Sequence, residues 1–190
     1  MSTKFKEYAD RLSAVLKSHQ WNEITPLAQE VELCWKKGRQ VFLCGNGGSA
    51  GNAIHLANDY LYGIAKETGK GLKVQALPAN SAVISCLAND VGYDAIFSEQ
   101  LAVLGQAEDL IICLSGSGNS PNILKVLDQA KLMGIKSCAI LGFSGGKAKS
   151  LADISIHFPI DDMQIAEDLQ LVVGHMLMQY LYSHKNKIQS

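Results

Sequence analysis

The amino-acid sequence predicts an α/β fold: a single-domain three-layer α/β/α sandwich around a five-stranded parallel sheet, with a helical extension at the N-terminus. Three observations carry this. Five short apolar runs between residues 40 and 158 are separated by stretches of helical periodicity. The runs are apolar on both faces, as strands are when helices cover a parallel sheet on each side. Two of them pass straight into turns rich in glycine and serine, the position at which such sheets bind ligands.

The elements follow in order. Residues 3–18 place Phe5, Tyr8, Leu12, Val15 and Leu16 at helical spacing, and residues 22–37 do the same with Ile24, Leu27, Val31, Cys34 and Trp35. Gly38 suits the end of the second helix. Strands are expected at 40–44, 72–77, 110–114, 136–141 and 154–158. Helices are expected near 48–65, 80–89, 93–104, 120–134 and 145–151, with a last one near 162–183. Right-handed crossovers should join the strands. With no linker, repeat or low-complexity tract, residues 1–190 read as one domain, 1–38 as N-terminal helices and 39–190 as the α/β core and C-terminal helix.

Composition excludes several classes. The net charge is −1, from 17 basic and 18 acidic residues scattered along the chain. No basic face is available to hold a nucleic-acid backbone. Arg11 and Arg39 are the only arginines, which limits any phosphate clamp built from guanidinium groups. Met1–Gln20 is amphipathic, with Lys4, Lys6, Arg11 and Lys17 interspersed, and lacks the apolar centre of a signal peptide. No apolar run is long enough to span a membrane. Cys34, Cys44, Cys86, Cys113 and Cys138 are odd in number, lack metal-pair spacing and lie mostly in apolar runs. They read as buried thiols of a reducing cytoplasm.

The two loops carry the strongest functional signal. One is Cys44-Gly45-Asn46-Gly47-Gly48-Ser49; the other is Ser115-Gly116-Ser117-Gly118-Asn119-Ser120-Pro121. A strand that turns into a helix through such residues aims unpaired backbone N–H groups at one point, and the hydroxyls add donors. Two loops with hydroxyls and no lysine point to a phosphorylated small molecule rather than to a nucleotide loop or a dinucleotide fingerprint. A plain tight turn would need only one or two glycines, whereas the second loop offers Ser115, Ser117 and Ser120, with Pro121 suited to a first helical turn. A third stretch, Gly142 to Lys147, reads as a simple connection.

Two segments combine histidine with carboxylates. His55 and Asp59 are four apart on one helix face. Glu167 and His175 are eight apart on the last helix, bordering one surface. Such pairs serve as metal ligands, as acid/base partners or as surface ion pairs. The position of His55 and Asp59 just beyond an anion-binding loop favours function. The apolar setting of His175 also fits a satisfied core histidine, and Glu167-Asp168 near a helix start also fits the helix dipole.

Taken together, Cys44 to Ser49, then His55, then Ala88-Asn89-Asp90-Val91-Gly92-Tyr93-Asp94, and Ser115 to Ser120 resemble the pattern of sugar isomerase (SIS) domains. The chain is most similar to the phosphoheptose isomerases, which convert sedoheptulose 7-phosphate to D-glycero-D-manno-heptose 7-phosphate, and the similarity covers nearly its whole length. The resemblance implies a flavodoxin-like SIS fold and a phosphate site of Ser49, Ser115, Ser117 and Ser120 with the Gly47 and Gly48 amides. It implies that Asn46 and Asp90 face the sugar, and that Asp59 and His175 are catalytic. Members that bind Zn²⁺ imply His55, Asp59, Glu167 and His175 as ligands. It further implies a homotetramer in which the terminal helices find partners.

Three departures accompany the resemblance. Asp59 stands where glutamate is usual and is one methylene shorter. Glu167 replaces a glutamine, and its added negative charge favours a cation. Gly63 stands where the heptose enzymes carry arginine. Two other readings share the frame: isomerisation of a different sugar phosphate, and a non-catalytic phosphosugar-binding or replication-regulating protein. Relatives of the latter kind lack the helix carboxylate, so Asp59 favours an enzyme.

Overall fold

Five parallel strands form one sheet in the order β2-β1-β3-β4-β5: β1 (Gln40–Gly45), β2 (Lys73–Ala76), β3 (Leu110–Ser115), β4 (Lys136–Leu141) and β5 (Ile154–His157). The computed structural model describes residues 2–184. Each strand lies within two residues of its expected span, because an apolar run bounded by glycine or charge leaves little freedom in register. Side chains alternate between two cores. Val41, Leu43, Ile112 and Ile140 face one layer, and Phe42, Cys44, Ile111 and Ala139 face the other.

The first layer holds α2 (Thr25–Lys37), α3 (Gly48–Asn58), α4 (Ile64–Thr68) and α9 (Met163–Ser183), through Leu27, Val31, Trp35, Leu56, Ile64, Leu169 and Val173. The opposite layer holds α6 (Ser98–Leu104), α7 (Pro121–Met133) and α8 (Ala148–Leu151), with α5 (Ser81–Asp90) packed against it through Ile84 and Leu87. Helix α1 (Ser2–Ser18) lies outside, sending Tyr8, Leu12, Val15 and Leu16 onto the first core while Phe5 stays exposed. Arg11 pairs at 2.8 Å with Asp162, whose other oxygen accepts from the Ile165 amide at 3.1 Å and caps α9.

Four helices differ from the sequence-based expectation. The stretch 22–37 divides into a 3₁₀ turn, Trp21–Ile24, and α2, which restarts with Pro26 in its first turn. The expected helix 48–65 runs on to Thr68 and contains a wide π-helical turn, Asp59–Gly63. The helix expected near 93–104 is a 3₁₀ turn, Tyr93–Ala95, followed by α6. The one expected near 145–151 shrinks to α8, because Gly145 and Gly146 adopt φ of 84° and 55°, outside the helical region.

Strand β1 has β2 on one side and β3 on the other, so the chain reverses its direction of winding between the strands that carry the two loops. The helices that follow them, α3 and α7, therefore leave on opposite faces, and a crevice opens between their N-termini.

Candidate active site

The crevice is a cleft of about 240 Å³ lined by both loops. Gly47, at φ 55° and ψ −122°, makes the turn that points the start of α3 inward. In the second loop Ser115 Oγ accepts from the Gly118 amide at 3.1 Å and Ser117 Oγ from the Asn119 amide at 3.3 Å. Each hydroxyl proton is thereby left to donate elsewhere. Ser120 occupies the cap position of α7 without a side-chain capping bond, so its hydroxyl is also uncommitted. Ser49 and Ser115 are buried in the cleft wall. An anion here meets two helix starts and several hydroxyl donors.

The stretch 142–147, expected as a simple connection, braces the second loop. The Gly142 amide donates to Gly116 O at 3.0 Å, the Ala148 amide to Gly118 O at 3.0 Å, and the Lys147 amide to Asn119 Oδ1 at 3.1 Å. A side chain at Gly118 would overlap the Gly145 carbonyl.

Asn46 is held by a buried neighbour, Asn122, that lies outside the sequence motifs. Its amide and that of Asn122 exchange hydrogen bonds, 2.9 Å from Asn46 Nδ2 and 2.8 Å from Asn122 Nδ2, and Tyr93 Oη donates to Asn46 Oδ1 at 3.2 Å. Asp90 is not brought into the cleft. It is exposed at the end of α5, where its carboxylate accepts from Asn89 Nδ2 at 2.7 Å and faces the Cys86 thiol at 3.4 Å.

A second group of side chains lies farther along α3, where it packs against α9. His55 Nε2 and His175 Nε2 are 3.1 Å apart, and Asp59 Oδ2 is 3.3 Å from the first and 3.4 Å from the second. The imidazoles are half exposed and the carboxylate is mostly buried. The helix spacing sets His55 beside Asp59, and Gly174 brings in His175. A methyl at Gly174 would overlap the buried Leu56 side chain, so α3 and α9 approach this closely only because that side chain is absent. Tyr60 Oη donates to Gly174 O at 3.1 Å, and burial raises its phenol far above the ordinary value, so it remains a donor. Asn58 Nδ2 donates to Asp59 Oδ1 at 3.3 Å, leaving Oδ2 to the imidazoles.

Two imidazole nitrogens and one carboxylate oxygen within 4.8 Å of one another can hold a metal ion. A tetrahedral ion with bonds of about 2.0–2.1 Å sets its ligands about 3.3 Å apart, and the three separations here are 3.1, 3.3 and 3.4 Å. Glu167, expected with this set, lies elsewhere. Its carboxylate rests against Gly48, where a side chain would overlap it, and it lines the cleft. Eight residues of helix separate it from His175, about 12 Å along the axis.

Sequence reasoning also passes over Gln170 and Met163. Met163 lines the cleft at the start of α9. Gln170 is buried between α9 and α3, and its Nε2 donates to Ser49 Oγ at 3.0 Å. A buried amide within an apolar helical stretch gives no signal by spacing alone.

Known proteins are similar throughout. The SIS domain profile matches residues 4–142. A phosphoheptose isomerase of Helicobacter pylori (strain HPAG1) is 37% identical over 186 residues, 96% of this chain and 96% of that protein. Two solved structures superpose closely. The phosphoheptose isomerase GmhA from Neisseria gonorrhoeae has a TM-score of 0.84 at 26% identity, covering 96% of each chain. A phosphoheptose isomerase from Francisella tularensis has a TM-score of 0.89 at 26% identity, covering 95% of this chain and 96% of that one. From the strand order, the paired loops and this similarity along nearly the whole length, the chain belongs to the SIS domain family, in its phosphoheptose isomerase group.

Proposed function

We propose that the protein is an aldose–ketose isomerase that converts sedoheptulose 7-phosphate to D-glycero-D-manno-heptose 7-phosphate. One observation carries this reading: the hydroxyl-lined cleft and the His55–Asp59–His175 cluster lie along the same pair of helices. Six residues of α3 separate Ser49 from His55, about 9 Å of helix. A phosphate held at one end thus leaves the carbonyl end of a sugar chain near groups able to move protons.

In this reading the phosphate sits among Ser49, Ser115, Ser117 and Ser120, far from the reacting carbons, and holds the substrate in register. Asn46 faces the sugar, its amide fixed by Asn122 and Tyr93. Isomerisation passes through an enediol or enediolate. One group takes the proton from the carbon next to the carbonyl and returns it to the neighbouring carbon, while a second shifts a proton between the two oxygens. Asp59 and His175 are the pair assigned to these steps. The resemblance also assigns Asp90 to the sugar.

The His55, Asp59 and His175 donors fit Zn²⁺, and these residues would hold it. When bound, zinc would polarise the carbonyl and stabilise developing negative charge. We place the protein in the cytoplasm as a homotetramer. All five cysteines are unpaired, as a reducing compartment requires. Among the described residues no helix is long and apolar enough to cross a membrane. Ile54, Leu61, Tyr62 and Met176, near the cluster in sequence, are exposed, as are Phe5 and Leu132, and this apolar surface supports self-association.

The direct test is to incubate the zinc-supplemented protein with sedoheptulose 7-phosphate and follow aldose formation by NMR. Conversion is expected. Binding without conversion, by a protein that does isomerise another sugar phosphate, would move the assignment to that substrate.

A further inference from the structure

The hydroxyl of Ser49 is embedded in a chain of hydrogen bonds whose direction can be worked out from one end. The Glu167 backbone carbonyl can only accept, and it accepts from Asn52 Nδ2 at 3.0 Å. This fixes which end of the Asn52 amide carries the protons. The same nitrogen donates its other proton to Gln170 Oε1 at 3.0 Å. The Gln170 amide is then fixed in turn, because a reversed amide would set two NH₂ groups against each other. Its Nε2 donates to Ser49 Oγ at 3.0 Å. With that lone pair occupied, the Ser49 O–H proton is turned away from Gln170, and Ser49 lines the cleft.

We propose that Gln170 is a positioning residue that makes Ser49 a committed hydrogen-bond donor to the anionic end of the substrate. It touches no ligand itself, being 1% exposed behind Ser49, which is 4% exposed. The chain starts on the α9 backbone at Glu167 and ends on α3, so both helices set the polarity of the cleft. A serine free to rotate spends part of its time accepting, and an acceptor facing a phosphate oxygen repels it. A hydroxyl held as a donor needs no reorientation when the anion arrives.

The inference rests on the reading of the cleft as a phosphate site, and the test separates the two. The probe is inorganic phosphate, with its dissociation constant measured by phosphorus NMR on the purified protein. Ser49→Ala alone tests the cleft, and a loss of about tenfold is expected, the size of one hydrogen bond to a charged group. Gln170→Glu keeps the shape but can only accept, so it captures the Ser49 proton. It should weaken phosphate binding at least about tenfold with Ser49 present, and by clearly less in the Ser49→Ala background. Gln170→Met, which adds no buried charge, should weaken binding about threefold with Ser49 present and not at all without it.

A Ser49→Ala protein that binds phosphate as well as the parent would remove both the cleft and the role of Gln170. A normal Ser49→Ala loss, with residue 170 costing the same factor in both backgrounds, would overturn the positioning role alone. That equal cost is what a purely structural glutamine would give.

Discussion

Asp59 Oδ2 is the atom at which the cluster closes, facing both imidazole nitrogens at 3.3 and 3.4 Å. Replacing it with a neutral amide of the same size removes the carboxylate that the proposal gives to proton transfer and to the metal, and changes no packing. Asp59→Asn is expected to lower kcat by about 10²–10⁴-fold, the range of general acid–base catalysis, while the thermal midpoint stays within a few degrees. His175→Ala should behave alike, and parental turnover in either variant would remove the assignment. The pair His55–Asp59 is legible in the sequence because four residues make one helical turn. His175 is 120 residues from His55 in the chain, and no spacing rule joins them; only the resemblance anticipates the meeting. Glu167 shows the converse. A count of eight suggests a shared surface with His175, yet the helix rise leaves its carboxylate against Gly48 in the cleft. Asn122 and Gln170 escape notice because a buried amide announces itself only through its partners.

Among the elements, α3 and α9 approach each other with little tolerance. Gly174→Ala should push Leu56 aside in a core with no spare room, costing about 1–3 kcal/mol of stability. It should also part His55 from His175, so a lowered melting temperature would come with lost activity; a stable, active variant would show that the contact yields. The start of α9 offers a pH test. The Ile165 amide bond, with the Arg11 guanidinium, holds the Asp162 carboxyl below its usual value of 3.8. A lowered folded value stabilises above the unfolded one and is lost as pH falls below 3.8 through the folded value. Asp162→Ala should therefore cost about 1 kcal/mol near neutral pH. The difference from the parent should narrow in denaturation curves taken at increasingly acid pH. The sequence reveals the strands well, since their apolar runs leave one burial solution. It reveals helix ends less well. The wide turn at Asp59–Gly63 leaves no periodicity to read, and α8 is shortened by the backbone that Gly145 and Gly146 adopt, which apolar spacing does not report.

For the molecule as a whole, the cleft follows from the strand order β2-β1-β3-β4-β5, in which the winding reverses at β1. Light scattering is expected to give a tetramer, and a monomer at micromolar concentration would remove that part of the proposal. Removing metal with a chelator should abolish turnover, and zinc should restore it; full activity in the stripped protein would leave His55, Asp59 and His175 as proton carriers alone. The reversal of winding at β1 has a consequence for how the protein responds when occupied. Helices α3 and α7 belong to different cores, so an anion held at both their starts would add a tie between the two layers beside the sheet and the Asn46–Asn122 pair. Phosphate should then slow hydrogen exchange in amides on both sides of the sheet at once, although it touches only the loops at one end. A small ligand of this kind would act as a clasp, closing the two layers together from one edge of the sheet.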